Sequence, residues 1–286
     1  MLSDKPADPK KKKSRAGRNL PAAIGSALAL AAVVLVSLFT IKWLFGIVVI
    51  ITIVVAVREF VLAFGKRDIH LARTPLFLAA VLLPGAAYLW GPLAQLLIFG
   101  LTILAVMFWR IRRGTDGYVR DVTASIFVAA YLPFMAAFLM LTLAADNGAQ
   151  RVLVFILLTA SNDIGGYAAG VFFGKHPIAA QISPKKSWEG FAGSILVQGA
   201  VGAASFVWLL DAPWWQGVIA GIVLAITATA GDFAESAIKR DLGLKDMGTF
   251  LPGHGGMMDR LDSLIPNAFT SWALFALFLG TGLAAS

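Results

Sequence analysis

Apolar runs about as long as a membrane is thick follow one another through almost the whole chain, and few folds accommodate that pattern. A helix needs about 20 largely apolar residues to cross the hydrocarbon core. Nine runs meet this criterion: Leu20–Thr40, Trp43–Phe64, Thr74–Trp90, Pro92–Trp109, Val122–Leu143, Val152–Phe173, Phe191–Leu210, Pro213–Ala230 and Leu264–Leu283. The third and fourth are short and joined by Gly91-Pro92, a junction suited to a hairpin. Of the 286 residues, 58% are hydrophobic and 14% charged, and mean hydropathy is +0.79. A soluble domain could not bury that much apolar surface. The expected fold class is all-α, a polytopic transmembrane helical bundle of about nine spans.

The charges set its orientation. Residues 1–19 form a basic tail, with Lys10 to Lys13 in a row and then Arg15 and Arg18. The tail lacks apolar periodicity and is expected to be disordered, acting as a topology determinant attracted to anionic lipid. With the N-terminus cytoplasmic and nine spans, 22 of the 24 Lys and Arg fall on the cytoplasmic side, leaving Lys42 and Arg151 outside. The positive-inside rule expects this bias. The net charge of +8 is thus accounted for by topology, and no nucleic-acid partner is expected. There are no cysteines, which excludes disulfides, thiolate zinc sites and cysteine nucleophiles. Residues 20–286 read as a single membrane-embedded domain.

Its unusual polarity is concentrated in two segments. The larger, residues 231–263, carries Asp232, Glu235, Ser236, Lys239 and Arg240. A glycine-rich loop follows, with Lys245, Asp246, His254, Gly255 and Gly256, and then Asp259, Arg260 and Asp262. About 20 residues of helix from the Trp214-Trp215 anchor bring Asp232 and Ser236 to the inner hydrocarbon boundary. Asp259 and Asp262 enter at the same level from the following span. If the eighth span continues as a helix through Arg240, Asp232, Glu235, Ser236 and Lys239 share a stripe, with Ala230, Ala234 and Ile238 nearer the packed side. Carboxylates at this depth are costly unless paired or bound to cations, and acids from two helices suit an oxygen-seeking ion such as Mg²⁺. Any one of them could equally serve as a simple partner for Lys239, Arg240 or Arg260.

The glycines let backbone amides approach anionic oxygens, and the nearby Lys and Arg could neutralise phosphate. The second segment holds Asp163, expected to point into the bundle, and Gly166 and Gly170, which permit close helix packing. It continues through Ser183 to Lys185 and Lys186, and for these two lysines phosphate binding and snorkelling weigh about equally. There is no Walker A, HExxH or GxSxG pattern. A reaction without a protein nucleophile fits better, with the chain supplying position and charge neutralisation.

The stretch Ser236–Asp262 has SxxKR, KDxG, LPGHGG and DRxD elements in order. It resembles the C-terminal signature of phosphatidate cytidylyltransferases, the CDP-diacylglycerol synthases. Ser183–Gly190 and the Asp163, Tyr167, Gly170 stretch are also similar to that family. Gly166 stands where the family more often has alanine before the tyrosine. The resemblance implies Mg²⁺-dependent transfer of CMP from CTP to phosphatidate, with a monovalent cation such as K⁺ beside the Mg²⁺. Metal binding carries over onto Asp232 and Asp259. Contacts to phosphate, metal or cytidine carry over onto Ser236, Lys239, Arg240, Asp246, His254 and Arg260. Substrate binding falls to Ser183, Lys185, Lys186, Lys245, Gly255 and Gly256. Such an enzyme would sit in the bacterial inner membrane with its site facing the cytoplasm, and a homodimer is a candidate assembly. A CDP-alcohol phosphotransferase would need a DGxxAR…GxxxDxxxD pattern, which is absent. A transporter would place polar groups through the membrane instead of at one face.

Overall fold

The structure, a computed structural model, describes residues 32, 34–248 and 255–281. The basic tail, most of the first expected span and His254 lie outside the described residues. In lipid, backbone N–H and C=O groups must be satisfied within the segment itself, so the apolar runs form helices. Among the described residues seven helices are long and apolar enough to cross a membrane. They are α1 (Lys42–Gly65), α2 (Arg73–Ile111), α3 (Tyr118–Ala144), α4 (Gly148–Phe173), α5 (Trp188–Leu209), α6 (Trp214–Asp241) and α7 (Met258–Leu279). A small antiparallel hairpin, β1 (Pro177–Ala179) and β2 (Ser183–Ser187), joins α4 to α5. Among the described residues the bundle is therefore all-α apart from this hairpin, with seven such helices where nine spans are expected.

Most of the first expected span lies outside the described residues, and in α2 the third and fourth expected spans form one run of 39 residues. Gly91 interrupts it with φ 79° and ψ −167°, a conformation open in practice to glycine, and Pro92 follows without an N–H to donate. The run folds back there. Ala72 and Val106, near its opposite ends, share a small core cluster with Val122. Asp121 ties the ends together, accepting from the His70 amide at 3.0 Å and from Arg110 Nε at 2.8 Å. The junction thus makes a hairpin whose legs, at about 1.5 Å per residue, are each long enough to cross the core.

α3 contains a π-helical turn, Ala130–Phe134, at Pro133. The Gln95 side chain on the second leg of α2 donates to the Phe134 carbonyl at 3.0 Å.

The larger core cluster lies among α1, α2, α3 and the start of α7, and the second lies among α4, α5, α6 and the rest of α7. Helix α7 therefore forms the seam between halves. Around α5 the packing is set by small residues. A Cβ on Gly165 would lie 2.7 Å from the Gly193 carbonyl oxygen, and one on Gly166 would lie 2.7 Å from Ser194 Oγ. Gly170 approaches Gly190 more loosely. Gly202 and Gly217 bring α5 and α6 into backbone contact. Replacing Gly217 with valine would force those backbones apart, at a cost of roughly 1–3 kcal/mol. A lowered thermal midpoint in detergent is the expected result.

Lys42 and Arg151, the two basic residues assigned to the far side, serve helix termini there. Arg151 donates to the Gly280 carbonyl at 2.8 Å and Asn147 Oδ1 at 2.6 Å, and Lys42 reaches the Ala145 carbonyl at 3.3 Å. Cations at helix C-termini complement the exposed carbonyls and the helix dipole. At the other end of the bundle Arg67 does the same for α6, donating to the Leu242 and Asp241 carbonyls at 3.1 Å.

Candidate active site

Helix α6 runs without a break through Asp241. Its buried stripe at this end is Ala228, Gly231 and Glu235, whereas Ala230 and Ala234, expected on the packed side, are exposed. Close approach of α7 decides the face: a Cβ on Gly231 would meet the Asp262 carbonyl and, at 2.6 Å, Pro266. The acidic stripe is thereby turned into the seam. Glu235 is fully enclosed there and pairs with Lys239 one turn on. Lys239 also reaches Asp259 Oδ1 at 2.8 Å, tying α6 to α7. The other Asp259 oxygen accepts from the Gly256 amide at 2.8 Å and the Met247 amide at 3.1 Å.

A residue from the first half of the chain completes this network. Glu59 of α1 is 3% exposed and accepts from the Met257 and Met258 amides at 2.8 and 2.9 Å, at the start of α7. Gly248 and Gly256 lie flat against its carboxylate, where a Cβ on Gly256 would come within 2.6 Å of Oε2. Glu59 and Asp259 together hold both described edges of the glycine-rich loop. Glu59 is not among the expected site residues, although a lone acid within an apolar span is a signal that could have found it.

About two helical turns back along α6, roughly 10 Å, Asp232 pairs with Lys186 from β2. Lys186 also lies 5.3 Å from the centre of the Phe233 ring. Asp163 on α4 and Asp262 on α7 are within electrostatic reach of Asp232 and of each other, and Lys186 is within reach of both. Asp163, Lys186 and Asp232 border a cleft of about 220 Å³ between α4, α5, α6 and the hairpin. Its lining includes Asn162, Asp163, Tyr167, Lys185, Lys186 and Asp232. A second hollow of about 100 Å³ adjoins it on the hairpin side and shares Lys185 and Lys186. Asp163 is exposed along this cleft and does not point into the bundle, because the closest α4–α5 contact is made by Gly165 and Gly166 on the neighbouring face.

A family model described as the cytidylyltransferase family matches residues 21–278. The chain belongs to the cytidylyltransferase family. It is 37% identical over 279 residues to a protein named phosphatidate cytidylyltransferase from Mycobacterium leprae, covering 92% of this chain and 89% of that one. Identity to the protein of that name from Mycobacterium bovis is 35% over 277 residues, covering 92% and 90%. For the one from Synechocystis it is 31% over 282 residues, covering 87% and 92%.

This cytidylyltransferase-family chain gathers those expected site residues that are described at one end of the bundle, mainly in two adjoining groups. Lys185, Lys186 and Asp232 line the cleft. Lys239, Asp259 and Gly256 form the loop network, and the half-buried Ser236 lies on α6 between the two groups. Asp232 and Asp259 are thus on the same side of the bundle, each paired with a different lysine, and the acids beside Asp232 are Asp262 and Asp163. The Gly256 amide, expected to meet a substrate anion, donates within the protein to Asp259. Gly255 adopts φ 82° beside the same carboxylate. Ser183 opens β2 outside the lining of either hollow. Lys245, Asp246, Arg240 and Arg260 are exposed, and Arg240 donates to the Leu244 carbonyl at 3.3 Å. The Tyr131 hydroxyl, carried on the π turn of α3, is buried within electrostatic reach of Glu235, Asp262 and Asp232.

Among the described residues no three His, Cys, Asp or Glu side chains are already arranged around one point as metal ligands. The donors nevertheless fit a hard divalent ion: three carboxylates, Asp163, Asp232 and Asp262, come from three helices, and Lys186 pairs with one of them. Mg²⁺ commonly takes one or two protein carboxylates and completes its shell with water and substrate phosphate.

Proposed function

We propose that the chain transfers CMP from CTP to phosphatidate, forming CDP-diacylglycerol and pyrophosphate. The observation that carries this reading is the cleft at the ends of membrane-length helices, where acids and lysines face one another. Family membership and the names of the relatives support the same reaction class. A lipid phosphate oxygen would attack the α-phosphorus of CTP, so the protein need supply no nucleophile.

Asp232, with Asp163 and Asp262 beside it, would hold Mg²⁺ at the cleft, with Asp259 the further expected ligand from the adjoining group and K⁺ as monovalent companion; bound there, the divalent ion would neutralise charge on the reacting phosphates. Lys186 and Lys185 would hold phosphate oxygens at the mouth of the cleft. Lys239 would keep the two helices in register, with Glu235 and Asp259 fixing its ammonium. The site end would face the cytoplasm of a bacterial inner membrane, in keeping with the basic residues at that end.

The test is direct. Purified protein given CTP, Mg²⁺ and labelled phosphatidate should form labelled CDP-diacylglycerol with equimolar pyrophosphate, and EDTA should stop it. Flux of an ion in proteoliposomes without nucleotide, with no nucleotide-lipid formed, would replace the reading with a transporter.

A further inference from the structure

The hollow beside the main cleft has a composition of its own. It is lined by Lys175, Lys185 and Lys186, with Gly174, Pro177 and Pro184 among the remaining walls, and no carboxylate. Lys186 lines both hollows and pairs with Asp232. Among the described residues the ammonium groups of Lys175 and Lys185 make no ion pair. The acid that follows both in sequence, Glu189, is already taken: it accepts from the Lys175 and His176 amides at 3.1 and 3.2 Å and meets His176 Nδ1 at 2.6 Å.

The same bonds make the hollow a built feature. Glu189 pins residues 175 and 176 to the start of α5, and the Trp188 amide donates to the His176 carbonyl at 2.9 Å. The β1–β2 pairing sets Pro177 opposite Ser187. Gly174 is held against Gly170 and Ser187, where a Cβ would come within 2.8 Å of Ser187 Oγ. Two unpaired cations are thus presented by a braced hairpin directly beside an acid-bearing cleft.

The chemistry of transfer at phosphorus gives this neighbour a task. Attacking and leaving oxygens lie roughly in line on opposite sides of the phosphorus. A group whose α-phosphorus sits at the junction marked by Lys186, attacked from the acidic cleft, must expel its leaving group toward the hairpin. We propose that the hollow between β1, β2 and the end of α4 is the pyrophosphate subsite, with Lys175 and Lys185 holding the β- and γ-phosphates of CTP and then the leaving pyrophosphate. The bond from the lipid phosphate oxygen to the α-phosphorus forms as the bond to the bridging oxygen of the β-phosphate breaks. That oxygen leaves with the electron pair as part of pyrophosphate, and the attacking phosphate is already ionised.

This inference rests on the cytidylyltransfer reading, and its test separates the two. In detergent-solubilised full-length protein, Lys175→Ala combined with Lys185→Ala should raise the inhibition constant of added inorganic pyrophosphate at least tenfold. It should raise KM for CTP in parallel and leave KM for phosphatidate within twofold and the thermal midpoint unchanged. The double arginine variant should restore pyrophosphate inhibition. Calorimetry with pyrophosphate alone, without CTP or lipid, should show binding to wild type and at least tenfold weaker binding to the double alanine variant. Inhibition and CTP KM within twofold of wild type would overturn the subsite. So would a rise confined to KM for phosphatidate, which would make the hollow a lipid-phosphate site. Wild type forming no CDP-diacylglycerol would instead remove the reaction, while calorimetry still reported on the subsite.

Discussion

Asp232→Asn is expected to lower kcat/KM for CDP-diacylglycerol formation by about 10³-fold or more while leaving the fold intact, a loss of roughly 4 kcal/mol of transition-state stabilisation. The substitution keeps the shape and removes the charge that faces both Lys186 and the cation proposed for the cleft. Its stability cost should be small. The Asp232 and Lys186 side chains are 27% and 29% exposed, and an ion pair so open to its surroundings contributes about 0–1 kcal/mol. Rate and thermal midpoint, measured on one preparation, therefore separate the effects. A midpoint within a few degrees of wild type and a collapsed rate assign Asp232 to the chemistry. A variant that turns over normally would remove it from the site, and with it the claim that the cleft between α4 and α6 is where reaction occurs.

Asp232 was legible in the sequence because its signal is local. The length of the apolar run before it sets its expected depth, and its spacing of three, four and seven residues to Glu235, Ser236 and Lys239 sets the shared stripe. The same kind of signal at Gly91-Pro92 was enough for the hairpin within α2, since a positive φ followed by a missing donor acts within two residues. Which face of α6 turns inward was not legible at this level. Ala230 and Ala234 look like packing residues by size, yet Gly231 is where α7 touches, and that contact depends on a residue 30 or more positions later. The β-hairpin was hidden for a related reason: its strands are three and five residues long and rich in Pro and Lys, with no alternation to announce them. Asp163 was misplaced because an acid in a span was assumed to need the bundle interior, whereas an open cleft serves equally well.

Glu59 shows most clearly what long-range packing adds, and its removal should have the second large effect, of a different kind. Glu59→Ala leaves the buried Met257 and Met258 amides without an acceptor and opens a space beside Gly248 and Gly256. An orphaned buried donor costs about 1–3 kcal/mol, so the expected loss of stability is roughly 2–5 kcal/mol. Activity should fall with it, because those amides open the helix that carries Asp259 and Asp262. Glu59→Gln should be intermediate, since one amide can still be accepted by Oε1 while the new NH₂ faces the other donor. The order wild type, Gln, Ala should therefore appear in both the thermal midpoint and the rate of nucleotide-lipid formation. Asp232→Asn, by contrast, should move the rate alone. A Glu59→Ala protein as stable and as active as wild type would mean that the glycine-rich loop is held by Asp259 and Lys239 alone, and that α1 takes no part in building the site.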